Sequence, residues 1–153
     1  SFSKKLNFTD IGSGKGRVLL IASNFFNEIR GVEFSKDLCQ ISLHNIHCYE
    51  EAVGTKLSSR IKIINEDIVD YRINGDGNIY YLYNPFDSKI LDVFINNLTD
   101  SLHIHPRECW IIYYYPVHFK VIRDSSFFTI SDFFKFDGIT CLVFEYHPSK
   151  QNK

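Results

Sequence analysis

The 153-residue sequence has no methionine, one tryptophan and four prolines. With no methionine in it, the chain is expected either to have lost an initiator ahead of Ser1 or to have been excised from something longer. Its four cysteines, Cys39, Cys48, Cys109 and Cys141, lie far apart and lack both CxxC pairs and the density of a secreted disulfide scaffold. A reduced, cytoplasmic setting is the expectation. No apolar run approaches the roughly 18 residues a membrane span needs, and no signal peptide opens the chain. Nor is there a surplus of one charge: 17 basic residues face 18 acidic ones, a net charge of -1, so no global field draws in nucleic acid. The only basic candidates, Lys4-Lys5 and Lys15 with Arg17, read as solvated surface. Internal repeats, low-complexity tracts and linkers are missing too, so one domain over residues 1–153 is expected.

What is present is alternation. Leu6–Ile11 reads as a short strand, and Val18–Phe26 as a buried helix opening just after Gly16. Glu28–Phe34 is a second strand, and Ser35 an N-cap for a helix to about Ala52 whose Leu38, Cys39, Ser42, Ile46 and Tyr49 share one stripe. Arg60–Asn65 and Asn78–Asn84 follow as strands, then a helix capped by Asp87 or Ser88 with Ile90, Leu91, Phe94, Leu98 and Leu102 on one side. Glu108–Tyr115 is a fifth strand, and a short helical piece spans His118–Ile122. Phe127–Phe136 and Ile139–Tyr146 are joined by Asp137-Gly138, a two-residue hairpin signal because a type I′ turn needs positive φ at both central residues. Such alternation with right-handed crossovers implies a doubly wound α/β fold, a mostly parallel sheet with helices on both faces, closed by one antiparallel strand.

Residues 8–17, "FTDIGSGKGR", carry three glycines at alternate positions. A triphosphate loop would need GxxxxGK[ST], and here Lys15 is followed by Gly16 and Arg17. A dinucleotide loop wants its third glycine where Arg17 stands. The acid ahead of the first glycine, Asp10, would repel phosphate and suits a ligand with a positive end.

These residues resemble the class I methyltransferases that use S-adenosylmethionine (SAM), over essentially the whole chain. "DIGSGKG" at 10–16 matches that family's D/E-x-G-x-G-x-G, "GVEFS" at 31–35 its acid after the second strand, "NEDIVD" at 65–70 its acid after the third, and "YNPFD" at 83–87 its Asn-Pro stretch after the fourth. The resemblance implies a seven-stranded sheet of order 3-2-1-4-5-7-6 with strand 7 antiparallel, and a methyltransferase catalytic domain; family members usually carry helices ahead of strand one, so the expectation is either that such a lid is missing here or that the acceptor is large and docks on an open face. It implies SAM as cofactor and S-adenosylhomocysteine (SAH) as product. It places Asp10 at the cofactor's ammonium end, Ser13 and Gly14 along its methionine portion, Gly12 and Gly16 with Gly14 in the loop beneath it, and Glu33 on the ribose hydroxyls. Asp67 would accept from the adenine amino group, the Ile68 N–H would serve a ring nitrogen, and Phe34 and Ile68 would sandwich the ring.

Asn84, Pro85 and Phe86 are the expected catalytic stretch, with Asn84 also near the cofactor. In members that methylate bases or glutamine side chains, N/D-P-P-Y/F grips the acceptor nitrogen; one proline is missing here, and a nitrogen acceptor remains the expectation. A shorter similarity, to the non-SET lysine methyltransferases, would make that nitrogen a protein lysine. The alternative function is a silent binding or scaffold module that keeps the SAM fold. No metal is expected: His44, His47 and Cys48 sit at metal-like spacing but read as surface. Tyr113 and Tyr115 are expected on one strand face with Tyr114 on the other, and His118 is a candidate base. No membrane partner is expected.

Overall fold

The computed structural model describes residues 6–148, so Lys4-Lys5 lies outside them. It divides into two compact units, Ser1–Asp70 and Tyr71–Lys153. The first contains β1 (Asn7–Ile11), α1 (Arg17–Ala22), β2 (Glu28–Val32), α2 (Lys36–Val53) and β3 (Ile61–Ile64). The second contains β4 (Ile79–Tyr83), α3 (Ser88–Ile104), β5 (Cys109–Tyr114), α4 (Phe119–Asp124), β6 (Thr129–Phe136) and β7 (Ile139–Tyr146). The strands follow the order β3-β2-β1-β4-β5-β7-β6 in one seven-stranded sheet, with β7 antiparallel to both its neighbours. This is the doubly wound order expected.

In the first unit β1 pairs in parallel with β2, and β2 with β3. Phe8, Thr9, Asp10 and Ile11 are all buried, as befits a strand covered on both faces. The Ser35 hydroxyl caps α2 by accepting from the Leu38 N–H at 3.3 Å, and the helix ends at Gly54 with φ 67°. Both ends lie where the sequence placed them to within a residue. Helix α1 is shorter than expected, stopping at Ala22 rather than Phe26. The Ser23 hydroxyl and Asn24 amide turn back to the Leu20 and Ile21 carbonyls, and the Arg60 guanidinium takes the Ser23 and Phe26 carbonyls. These side chains satisfy the groups that further helical turns would have used. Phe26, released from the helix, stacks on Phe8 with ring centroids 5.1 Å apart.

In the second unit β4 and β5 are parallel. Asp87 caps α3 through the Lys89 and Ile90 N–H groups, and that helix buries Leu91, Phe94, Ile95, Leu98 and Leu102. The hairpin turn is as the dipeptide required, with φ 52° at Asp137 and 79° at Gly138. One strand end differs. Tyr115 does not continue β5: its φ is 54° and it is exposed. Tyr113 is in the core and Tyr114 half-buried, so the alternation holds to Tyr114 and is broken by the turn at Tyr115.

Candidate functional site

The glycine loop hangs from the carboxyl end of β1. The Gly12 and Ser13 N–H groups both donate to the Val32 carbonyl, at 2.9 and 3.1 Å, and the Gly16 N–H donates to Ser13 O at 2.9 Å. Gly12, Gly14 and Gly16 all have positive φ, between 53° and 80°, which side chains rarely tolerate. A Cβ at Gly14 would meet nothing within 4 Å, so open space lies beside the loop there. At Gly16 the reverse holds: a Cβ would come within 2.2 Å of the Ser42 hydroxyl on α2. Gly16→Ala combines that clash with a left-handed backbone, and we expect it to lower the unfolding free energy by about 2 kcal/mol or more. Urea unfolding of the variant checks this, and a change within experimental error would show that α2 shifts freely away from the loop.

Glu33, directly after β2, is buried at 5% exposure. One carboxylate oxygen accepts from the Gly14 N–H at 3.0 Å and the other from the Ser35 N–H at 2.9 Å. The side chain thereby ties the loop after β1 to the N-terminus of α2. Asp10 is paired in register with Gly31 of β2 and is 3% exposed. Burial, and then the Glu33 charge, raise its carboxyl to about 7. A buried carboxyl whose charge is disfavoured by its surroundings is a setting that a cation relieves. Ser13 Oγ is buried with no hydrogen-bond partner among the described residues. Two buried acids, an unpartnered hydroxyl and open space beside Gly14 fit the ammonium group of a sulfonium cofactor's methionine portion. They fit a phosphate poorly.

Asp67, Ile68 and Phe34 take up different situations. The exposed Asp67 accepts from the Val69 N–H at 3.1 Å in a local turn. Ile68 is buried at 6% exposure, whereas Phe34 is 75% exposed. Of the two residues expected to flank an adenine, only Phe34 is exposed. Asn65 was not singled out in the sequence. Its Nδ2 donates to the Glu33 and Phe34 carbonyls, at 3.0 and 2.9 Å, and so fixes the turn that carries both residues. The Cys39 thiol also donates to the Glu33 carbonyl, and burial together with the Glu33 charge raises its pKa. An amide just after a strand that precedes "ED" was the only available signal.

In the second unit Asn84 follows β4 with φ 39°, a conformation that asparagine tolerates better than most residues. Its Oδ1 accepts from the Tyr113 hydroxyl at 3.0 Å, and Tyr113 Oη accepts from the His118 N–H at 3.4 Å. Pro85 and Phe86 are half-buried. Tyr83, 57% exposed, meets the Tyr114 ring edge to face at 5.0 Å. His118 thus enters through its backbone, and Tyr113, read from the sequence only as part core, becomes the partner of the expected catalytic asparagine.

Among the described residues no group of three or more His, Cys, Asp or Glu could hold a metal ion; Cys48 and His44 meet at 3.5 Å on the exposed face of α2. No described helix is long and apolar enough to cross a membrane.

No protein-family model matches the chain. Over 63 residues it is 29% identical to TBC1 domain family member 14 of Mus musculus and of Rattus norvegicus, a stretch that is 40% of this chain. The chain spans 9% of the length of these curated relatives. Solved structures are similar over far more of it. One is an RNA methyltransferase from Salinibacter ruber in complex with S-adenosyl-L-homocysteine (TM-score 0.65, 14% identity, 95% of this chain and 83% of that one). Another is the mitomycin 7-O-methyltransferase MmcR (TM-score 0.69, 11% identity, 95% of this chain and 50% of that one). The pyocyanin biosynthetic protein PhzM is a third (TM-score 0.70, 11% identity, 93% of this chain and 50% of that one). At such identities the likeness speaks for the fold. The chain has the Rossmann-like fold of the class I SAM-dependent methyltransferases.

Proposed function

We propose that the chain is a SAM-dependent methyltransferase domain. The observation that carries this reading is the buried Asp10–Glu33 pair at the carboxyl ends of β1 and β2, with Glu33 hydrogen-bonded to the glycine loop. Asp10 would face the cofactor's ammonium group, Glu33 the ribose, Ser13 and the glycines the methionine portion, and Phe34, Asp67 and Ile68 the adenine. When bound, SAM supplies an electrophilic methyl group on a sulfonium. The protein's part is then to position the acceptor in line and keep water away, with little obligatory acid-base help.

The acceptor would meet Asn84, Pro85 and Phe86. The motif points to a nitrogen acceptor; the Asn84 oxygen accepts from the Tyr113 hydroxyl at 3.0 Å and keeps a second lone pair for a hydrogen of such an acceptor. A reduced, cytoplasmic setting accords with four free cysteines, two of them buried.

Calorimetric titration of the protein with SAM, SAH and NAD tests the proposal. SAM and SAH should bind and NAD should not, since Arg17 stands where a dinucleotide loop needs glycine. Binding of NAD alone, or of none of the three, would overturn it.

A further inference from the structure

We infer that a cavity between the loop after β5 and the β6–β7 hairpin receives the methyl acceptor, and that the acceptor is a small uncharged molecule with an apolar body rather than a nucleic acid or a lysine side chain. This rests on the methyltransferase reading and adds the acceptor class to it.

The cavity lies wholly within the second unit and has a volume of about 510 Å³, inside the range of roughly 300 to 1,000 Å³ in which small-molecule sites fall. The loop gives it Tyr115, Val117 and Phe119, and the hairpin gives it Ile130, Thr140 and Leu142. No lining residue carries a charge, and the lining side chains include only two polar groups, the hydroxyls of Tyr115 and Thr140. A phosphate or an ammonium group entering here would give up water with no ionic partner in return. An apolar body would instead cover Tyr115, Val117 and Ile130, which are 50%, 52% and 47% exposed. Removing such surface from water is what drives an apolar ligand into a site.

Two left-handed turns frame the cavity. Tyr115 has φ 54°, and the hairpin turns at Asp137 and Gly138 with 52° and 79°. The Tyr115 N–H ties one turn to the other by donating to the Thr140 carbonyl at 3.0 Å, and within the loop the Val117 N–H donates to the Tyr115 carbonyl at 2.9 Å. A positive φ at a tyrosine is strained, and strain that the surrounding structure holds in place clusters at ligand-binding sites.

The cavity also lies beside the expected acceptor stretch. Leu142 is the cross-strand partner of Tyr113, so the two side chains share one face of the sheet. The Tyr113 hydroxyl oxygen is 3.0 Å from Asn84 Oδ1 and 3.4 Å from the His118 backbone nitrogen, and His118 stands between the lining residues Val117 and Phe119. Tyr113 therefore meets Asn84 on one side and the cavity's loop on the other. Asn84 and that loop follow the carboxyl ends of β4 and β5, the edge at which open α/β sheets bind their ligands.

2-Naphthol, 2-naphthoate and 2-naphthylmethylamine share the same two rings and are neutral, anionic and cationic at neutral pH. Each is titrated into SAH-saturated, nitrogen-15-labelled protein while the backbone N–H signals are followed by NMR. 2-Naphthol should shift the signals of Val117, Thr140 and Asn84, and bind more tightly than either charged analogue by about 10-fold or more. Val117→Asp puts a charge on the cavity wall and Val117→Phe fills the space. Each should weaken 2-naphthol binding by on the order of 10-fold or more, with SAH affinity as the control for folding. A charged analogue that binds as well as 2-naphthol, shifts that run along the exposed β6 instead of around the cavity, cavity shifts without one at Asn84, or an unchanged affinity in either variant would each overturn the proposal. Failure of SAH to bind would instead overturn the methyltransferase reading, whereas SAH binding without a cavity response to 2-naphthol overturns the acceptor assignment alone.

Discussion

Glu33→Ala should both destabilise the chain and weaken SAM binding, and the two losses separate what the carboxylate does in the fold from what it does for the ligand. In the ligand-free protein the side chain satisfies the Gly14 and Ser35 N–H groups. Alanine leaves both without their acceptor, at about 1 to 3 kcal/mol for each group that water cannot reach. Part of that loss is offset because removing Glu33 relieves Asp10 of a neighbouring negative charge. A net fall in unfolding free energy of about 1 to 3 kcal/mol is expected from this balance. Glu33→Gln should not rescue it, because an amide that turns its oxygen to one N–H turns its NH2 to the other. For SAM, loss of charge-assisted bonds to the ribose should weaken binding by about 1.5 to 3 kcal/mol, roughly 10- to 150-fold. Urea unfolding and calorimetric titration of the same variants read the two quantities. A destabilised variant with an unchanged SAM dissociation constant would leave Glu33 as a loop tie and move the ribose elsewhere.

That dual role was only half visible in the sequence. An acid at the end of a second strand, following Asp-x-Gly-x-Gly-x-Gly, is legible because the spacing itself sets both at the carboxyl edge of one sheet. Which backbone groups the carboxylate meets depends on the path of the loop between them, and no periodicity describes a loop. The same division recurs across the chain. Ser35, Asp87 and Asp137-Gly138 declare helix starts and a hairpin through side chains that act locally, and the structure uses all of them. Helix α1 ends early because Arg60, far along the chain, takes carbonyls after it, and nothing within residues 17–26 announces that partner.

The second unit shows the limit more sharply. "NPF" at 84–86 is readable as an acceptor motif from residue types, but the orientation of the Asn84 amide is set by Tyr113, 29 residues away. A three-tyrosine run gives no hint which of its hydroxyls is buried beside an asparagine. The turn at Tyr115, which takes that residue out of the strand, is likewise a tertiary outcome. Its N–H donates to the Thr140 carbonyl at 3.0 Å, a bond that exists only once β7 has paired with β5.

Asp10 should make SAM binding depend steeply on pH. Its carboxyl is raised from 3.8 to about 7, first by burial and then by Glu33, so the folded ligand-free protein keeps a proton that the unfolded chain releases. Between about pH 4 and 7 the native state therefore binds more protons, and stability falls as pH rises through that window, levelling off above it. The full cost approaches about 4 kcal/mol if the whole rise is realised. Asp10→Asn, close in shape and uncharged, should remove this slope and be more stable than the parent at pH 8. Ligand binding has the opposite sign. A cationic ammonium beside Asp10 favours the carboxylate, so below pH 7 binding must first expel the proton, and affinity should drop by about 10-fold per pH unit. At pH 5 the dissociation constant should be on the order of 100 times that at pH 7.5, with close to one proton released per SAM bound. Titrations in buffers of different ionisation enthalpy count that proton. Asp10→Asn is the control, since any slope that remains in it comes from groups other than Asp10. A wild-type affinity that is flat from pH 5 to 7.5, or an Asn variant that keeps the full slope, would show that the cofactor's positive end lies away from Asp10.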